Sequence, residues 1–291
     1  MPFDEIRFAV NSFDEFFGGS EYSVGFMIMH ELLTHPEAVK IKQFQDEQNR
    51  EMPSVFHNGR ITTSGISIAT REDHEELLDG LRRNKVQSLH MVLHGVGETH
   101  DKAVNNKGAF EKLRIAAERA KAAGMDCTFS VLLTKANISE LKEIKRFLNN
   151  LGIEKATGDS IAARYTSGER LRKYDEIRVE YSDIIFYLED IKELYPEHLY
   201  KDIENYTEAA LYHKAISGEE IREDFDVSLG GMIHVLFDKD FNVYSGTSVV
   251  RGKYYGNLKN DAGAIFEKLK NDIVSDQMGY EFIPSLFFQM R

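Results

Sequence analysis

Three histidines fall in one short stretch, His90, His94 and His100, with Glu98 and Asp101 among them. On an extended strand His90, Val92 and His94 point to one side. Imidazoles joined by a carboxylate form the donor set of a divalent-metal site, so His90, His94 and His100 are the candidate metal ligands. No spacing fixes a further ligand, and a histidine inside a strand also serves structure alone, so both readings stand. A second pair, His30 and His35 in His30-Glu31-Leu32-Leu33-Thr34-His35, has the outline of a zinc-protease helix. Its histidines are five apart instead of four, which puts them on different helix faces, and Pro36 follows directly. A surface or cap role is the better expectation there.

Nucleophilic chemistry has little to work with. Cys127 is the one cysteine in 291 residues. It lies in the strand-like run Cys-Thr-Phe-Ser-Val-Leu-Leu, where a buried structural thiol is expected. A single cysteine closes no internal disulfide, and no Cys-x-x-Cys pair exists for zinc. The Gly-x-Ser-x-Gly elbow of serine hydrolases is absent. His94-Gly95-Val96-Gly97 has two of the glycines of a dinucleotide fingerprint but lacks the third and an immediate helix, so its glycines are read as a sharp turn out of a strand. Arg164 and Arg170 are suited to gripping a carboxylate in a fork, or to a surface ion pair.

These residues need elements to hold them. Arg60 to Ser64 reads as a strand. A helix is expected from Thr70, with Asp73 as a capping partner and Leu77, Leu78 and Leu81 as its apolar stripe. Val86 to Leu93 and Asp126 to Leu133 read as strands. Ala109 to Ala123 reads as a helix stopped by Gly124. Asn137 or Ser139 is expected to cap a further helix striped by Leu141, Ile144, Phe147 and Leu148 and closed by Gly152. Consecutive βα units of this kind make a parallel sheet, in a barrel or an open doubly wound form. Beyond Gly152 the regularity fades. Tyr181 to Ile216 is helix-rich and aromatic, an amphipathic cover for a sheet or a neighbouring subunit. Met232 to Phe237 and Phe241 to Tyr244 form a hairpin about Asp238-Lys239-Asp240, and Ala262 to Ile273 is a last amphipathic helix before an aromatic tail with Phe287-Phe288.

Composition narrows the function classes. With 42% apolar and 29% charged residues, the chain can fill the core of one barrel-sized domain with an appendix. The net charge of −12 disfavours phosphate backbones and anionic membranes, so neither nucleic acid nor membrane is expected as a partner. The apolar stretch Val24 to Met29 is too short to span a bilayer, and the start Met-Pro-Phe-Asp-Glu has no basic region, so a cytoplasmic protein is expected.

Several of these motifs, in this order, resemble radical SAM enzymes of the peptide-modifying kind that carry a C-terminal SPASM extension. Thr62-Thr63-Ser64-Gly65 is similar to the family's Thr-Asn-Gly turn. Leu89 to Gly95, followed by Glu98-Thr99-His100-Asp101, resembles its hydrophobic-Ser-hydrophobic-x-Gly strand and His-Asp loop. Gly108-Ala109-Phe110 resembles the next helix start, and Leu133 to Asn137 the strand end that approaches the cofactor. The Gly-Glu-Arg ending at Arg170 is loosely similar to a Gly-Arg-Ala after the last barrel strands. Gly230-Gly231, the Asp238 to Tyr244 turn and Gly256-Asn257-Leu258 resemble the SPASM hairpin.

The resemblance implies an α/β fold: a reduced or partial radical-SAM-like (β/α) barrel over residues 1–180, then a helical segment and a small SPASM-like hairpin and helix over 181–291. It also implies Glu21, Ser64, His90 and Asn137 as cofactor-binding positions for S-adenosylmethionine. The departures bear on activity. Thiolates at fixed spacing hold a [4Fe–4S] cluster, and Cys-x3-Cys-x2-Cys is absent. In one register Ser12, Phe16 and Gly19 stand at the ligand positions. In the preferred one Gly18-Gly19-Ser20-Glu21 stands for the family's Gly-Gly-Glu-Pro, and the cluster loop and first strand are lost. Leu229 and Ser245 stand where SPASM cysteines belong. No iron–sulfur cluster is therefore expected. The expectation is a clusterless binding or partner subunit for a catalytic radical SAM enzyme or its peptide substrate. An enzyme using S-adenosylmethionine without a cluster, or a divalent metal at His90 and His94, is the alternative, and a homo-oligomeric structural role stays open.

Overall fold

A computed structural model describes residues 1–17, 25–26, 31–50, 59–158, 161–162, 176–200, 234–245, 253–275 and 285–288. They fall into two compact units that interleave along the sequence: residues 60–79 and 87–226, and residues 1–59, 80–86 and 227–291.

The first of these units holds the candidate site. Its parallel sheet runs β2 (Arg60–Thr62), β3 (Ser88–Leu93) and β4 (Asp126–Val131) in that order. Single parallel bridges at Ser130 with Thr157 and Leu133 with Ala162 continue it beyond β4. Side chains alternate along the strands, and the two faces differ sharply. Ile61, Leu89, Met91, Leu93, Cys127, Phe129 and Val131 form one face and are all buried. Helix α6 (Ala109–Ala122) lies against β3 and β4. The opposite face carries Thr62, His90 and Thr128 side by side, then Val92, Ser130 and Thr157.

Helix boundaries depart from expectation at two places. Thr70 ends a short helix, α3 (Ile66–Thr70), instead of starting the long one, and its hydroxyl donates back to the Ile66 carbonyl. Arg71 is extended and takes the Asp73 carboxylate in a fork, so the expected Thr70–Asp73 capping pair does not form. Helix α4 follows over His74–Arg83, with Leu77, Leu78 and Leu81 buried as expected. Asn137 does not cap α7 (Leu141–Asn150) either. A single 3-10 turn, Ile138–Glu140, intervenes, and the Asn137 amide is used elsewhere. In both places a polar side chain expected to cap a helix bonds elsewhere, Thr70 to its own preceding turn and Asn137 to two strand ends.

Gly65 shows how closely the parts fit. It turns at φ +79°, and a Cβ there would come within 2.8 Å of the Ala116 Cβ on α6. Later in this unit come α8 (Tyr181–Phe186), α9 (Leu188–Leu194) and α10 (Glu197–Tyr200). Tyr195, fully buried, donates its hydroxyl to the Val131 carbonyl at 2.9 Å and so ties the segment after α9 to the end of β4.

The other unit contains helices α1 (Phe3–Phe17) and α2 (Ala38–Gln48), and a five-stranded sheet. Its strands are β1 (Gly25–Phe26), β5 (His234–Phe237), β6 (Asn242–Ser245), β7 (Tyr254–Asn257) and β8 (Ser285–Phe288), in the order β1-β8-β5-β6-β7. The expected hairpin is β5–β6, closed by Asp238 accepting from the Asp240 and Asn242 amides. The expected last helix is α11 (Leu258–Ser275), longer than the pattern suggested and kinked at Asp261. The Phe287-Phe288 tail is a strand, parallel to β5. Phe13, Phe17, Phe237 and Phe266 supply much of the core, with Phe13 edge-on to both Phe237 and Phe266.

Candidate functional site

The carboxyl ends of parallel strands are where α/β proteins build sites, and Ser64, His94 and Asn137 lie beyond the ends of β2, β3 and β4. His90 is in mid-strand and buried. Its Nδ1 lies 2.9 Å from the Thr128 Oγ1 and its Nε2 2.9 Å from the Ser130 Oγ. Both ring nitrogens thus face hydroxyls of the neighbouring strand. Ser64 is exposed in the turn after β2, where its Oγ accepts from the Ile66 amide at 3.4 Å. Thr63 supports that turn: its amide donates to the His90 carbonyl and its hydroxyl accepts from the Gly65 amide. Glu21 lies outside the described residues, as do Gly18 to Ser20, His30, Arg164, Arg170, Leu229 and Gly230-Gly231.

Asn137 is wholly buried and its amide joins two strand ends. Nδ2 donates to the His94 carbonyl after β3 and to the Leu132 carbonyl after β4, while Oδ1 accepts from the Thr134 amide. Glu140 completes the clamp. One carboxylate oxygen accepts from the Val96 amide at 2.8 Å, the other from the Thr99 hydroxyl at 2.5 Å. The sequence did not single out Glu140; a carboxylate on a 3-10 turn after an expected cap was its only signal. Gly95 turns at φ +140° beneath this clamp, where a Cβ would meet Thr99 at 2.5 Å and Glu140 at 2.8 Å. The glycines of His94-Gly95-Val96-Gly97 therefore serve the turn, as expected.

His94 and His100 stand with ring centres 5.8 Å apart. The His94 amide donates to Nδ1 of His100, which must therefore be unprotonated. Burial pushes the His100 pKa down to about 4, helped by His94 and opposed by Asp101. Burial also lowers that of His94. Asp101 accepts from the Gly108 and Phe110 amides, which holds its pKa below the usual carboxylate value and seals the start of α6. His90 is thus engaged by Thr128 and Ser130, while His94 and His100 are joined to each other. Among the described residues no group of three or more His, Cys, Asp or Glu is arranged to hold a metal ion. His35 lies between the Met1 carbonyl and the Glu37 amide, a joint at the start of α2.

The fit to an iron–sulfur cluster is poor on the chain's own chemistry. Cys127 lies on the apolar face of β4, its Sγ 3.7 Å from the Ala117 carbonyl. Burial pushes its pKa up to about 11, with Lys121 opposing. A thiol so placed resists forming the thiolate that iron needs. Ser12, at a ligand position in one register, is on α1 and donates to the Phe8 carbonyl. Ser245 ends β6.

Residues 6–148 match the family model of the radical SAM superfamily. No curated protein matches the sequence. Among solved structures, the chain is similar to "Native anSMEcpe with bound AdoMet", at 14% identity and a TM-score of 0.41, over 80% of this chain and 62% of that one. It is also similar to "Native anSMEcpe with bound AdoMet and Kp18Cys peptide", at 14% identity and a TM-score of 0.48, over 91% of this chain and 72% of that one. The chain thus spans less than two thirds of the first of these structures. No helix among the described residues is long and apolar enough to cross a membrane.

Proposed function

We propose that this chain, radical-SAM-like over residues 6–148 and without the cysteines that the family's cluster demands, binds instead of reacting. It would serve as a partner or recognition subunit for a catalytic radical SAM enzyme or its peptide substrate, in the cytoplasm. The observation that carries this reading is the state of Cys127: the one thiol of the chain is on the packed face of the sheet, held protonated. The division into a barrel-derived part over 1–180 and a SPASM-derived part over 181–291 belongs to the same proposal. It concerns lineage and is distinct from the compact units. Anaerobic reconstitution followed by iron quantitation tests it. The expected result is no stoichiometric iron in the isolated chain; a stoichiometric cluster that cleaves S-adenosylmethionine reductively overturns it.

The polar sheet face favours a second reading. Parallel sheets covered on both faces normally read as continuous apolar strands, whereas this one keeps Thr62, His90, Thr128 and Ser130 on one side. Such a face suits a polar ligand, so an enzyme using S-adenosylmethionine without a cluster is the alternative, with Glu21, Ser64, His90 and Asn137 as its binding positions. A divalent metal at His90 and His94 is the weaker form of this reading, because both His90 nitrogens have hydroxyl neighbours. Calorimetry with S-adenosylmethionine and elemental analysis separate the readings. Tight metal lost in His94→Ala would favour the enzyme.

A further inference from the structure

We propose that the ridge formed by exposed Ile185 and Phe186, with half-buried Tyr187 beside them, is a docking site for a partner's peptide segment that presents an apolar side chain beside lysine or arginine. Three of the six large apolar side chains exposed among the described residues, Ile177, Ile185 and Phe186, fall within this one short segment. Phe186 is 79% exposed, and its ring leans edge-on against Tyr187 at 4.8 Å. Among the described residues, α8 is held in place by other side chains. Helix α8 is anchored by Ile184, which is fully buried, and its start is secured by reciprocal bonds between Glu180 and Asp183. Large apolar side chains exposed together, and bordered by polar groups, mark interaction surfaces.

The border defines the occupant. Residues 176–200 carry seven carboxylates, at Glu176, Glu180, Asp183, Glu189, Asp190, Glu193 and Glu197, against Arg178 and Lys192. Arg178 is buried, Lys192 is paired with Glu189, and Lys135 and Lys142 pair from outside the segment with Glu180 and Asp190, so the surplus of negative charge rests on Glu176, Asp183, Glu193 and Glu197. Asp183 and Glu189 flank Phe186 three residues to either side. With Glu189 held by Lys192, Asp183 is the carboxylate left to act with the ring, and an aromatic face near a carboxylate attracts a cation through both the ring quadrupole and charge. An acidic or purely apolar partner would be repelled or left unselected.

This inference rests on the binding reading above and names the chemistry of the partner. Its test uses the full chain and a labelled amphipathic peptide of Leu and Lys, followed by fluorescence anisotropy at low and high salt. A Leu–Glu peptide of equal length is the control. Saturable binding of the Leu–Lys peptide alone is expected. Phe186→Ser should weaken it about tenfold with no loss of melting temperature. Asp183→Asn, which can still accept from the Glu180 amide, should weaken it about threefold and flatten the salt dependence. No binding, equal binding by Phe186→Ser, or equal binding of the Leu–Glu peptide overturns the proposal. So does a dimer in sedimentation that Phe186→Ser dissociates, because the ridge would then belong to a second copy. The readout needs no iron. Its failure leaves the clusterless reading intact, and a cluster in the isolated chain would sink that reading without touching the peptide result.

Discussion

The two faces of the β2–β3–β4 sheet are made by the same three strands, yet they have opposite chemistry. On one, Cys127 lies in register with Leu89 among buried apolar side chains, and its thiol is kept from ionising. On the other, His90 is held between two hydroxyls of β4, in register with Thr62 and Thr128. The reactive element is thus on the face where it cannot act. The face that could receive a ligand offers hydroxyls and imidazole but no thiolate, the donor a [4Fe–4S] cluster requires. One step along a strand separates the two environments, because alternation sends neighbours to opposite sides.

Substitutions on either side should sharpen this contrast. The largest effect is expected at Phe129, fully buried on the packed face and edge-on to Phe147 at 5.8 Å. Phe129→Ala should cost about 3–5 kcal/mol in urea unfolding. At the strand ends, Glu140→Ala removes the acceptor for the Val96 amide and the Thr99 hydroxyl. It should cost about 1–3 kcal/mol, with hydrogen exchange accelerated first at Val96. On the polar face, His90→Ala should cost only about 1 kcal/mol, since Thr128 and Ser130 are half-buried and water can replace the imidazole. A loss at His90 as large as that at Phe129 would break the comparison.

Two pH effects complete the contrast. His100 is held neutral, with its pKa lowered to about 4 from 6.5, so the unfolded chain binds its proton first. Its contribution is complete above about pH 6.5 and is lost as pH falls through 4. In His100→Asn, whose side-chain oxygen can still accept from the His94 amide, the acid-side decline in melting temperature should be shallower. Cys127 has the opposite slope. Its thiol keeps a proton in the folded chain up to about 11, against an ordinary value of 9.0, so stability falls as pH rises between these values. Cys127→Ala should flatten that alkaline decline, measured by melting temperature.

Much of the scaffold was legible because it is written in local patterns. The stripe Leu77, Leu78, Leu81, the stop at Gly124 and the turn at Asp238 each depend on residues a few positions apart. The site was less so. Asn137 looked like a helix cap, but its amide bridges the His94 and Leu132 carbonyls. Glu140 had no motif at all, and its partners Val96 and Thr99 lie more than forty residues away. The short tail strand β8 gave no periodic signal, since its pairing with β5 and β1 is non-local.

The sequence by itself determined the α/β pattern of the middle of the chain, the hairpin, and the count of a single thiol. Those follow from side-chain period, turn chemistry and composition. Only the tertiary structure decided which face that thiol occupies, which groups the histidines face, and that Asn137 and Glu140 bind strand ends together. These are hydrogen bonds and burial between distant segments. No local pattern encodes them, because they exist only once the strands are in register.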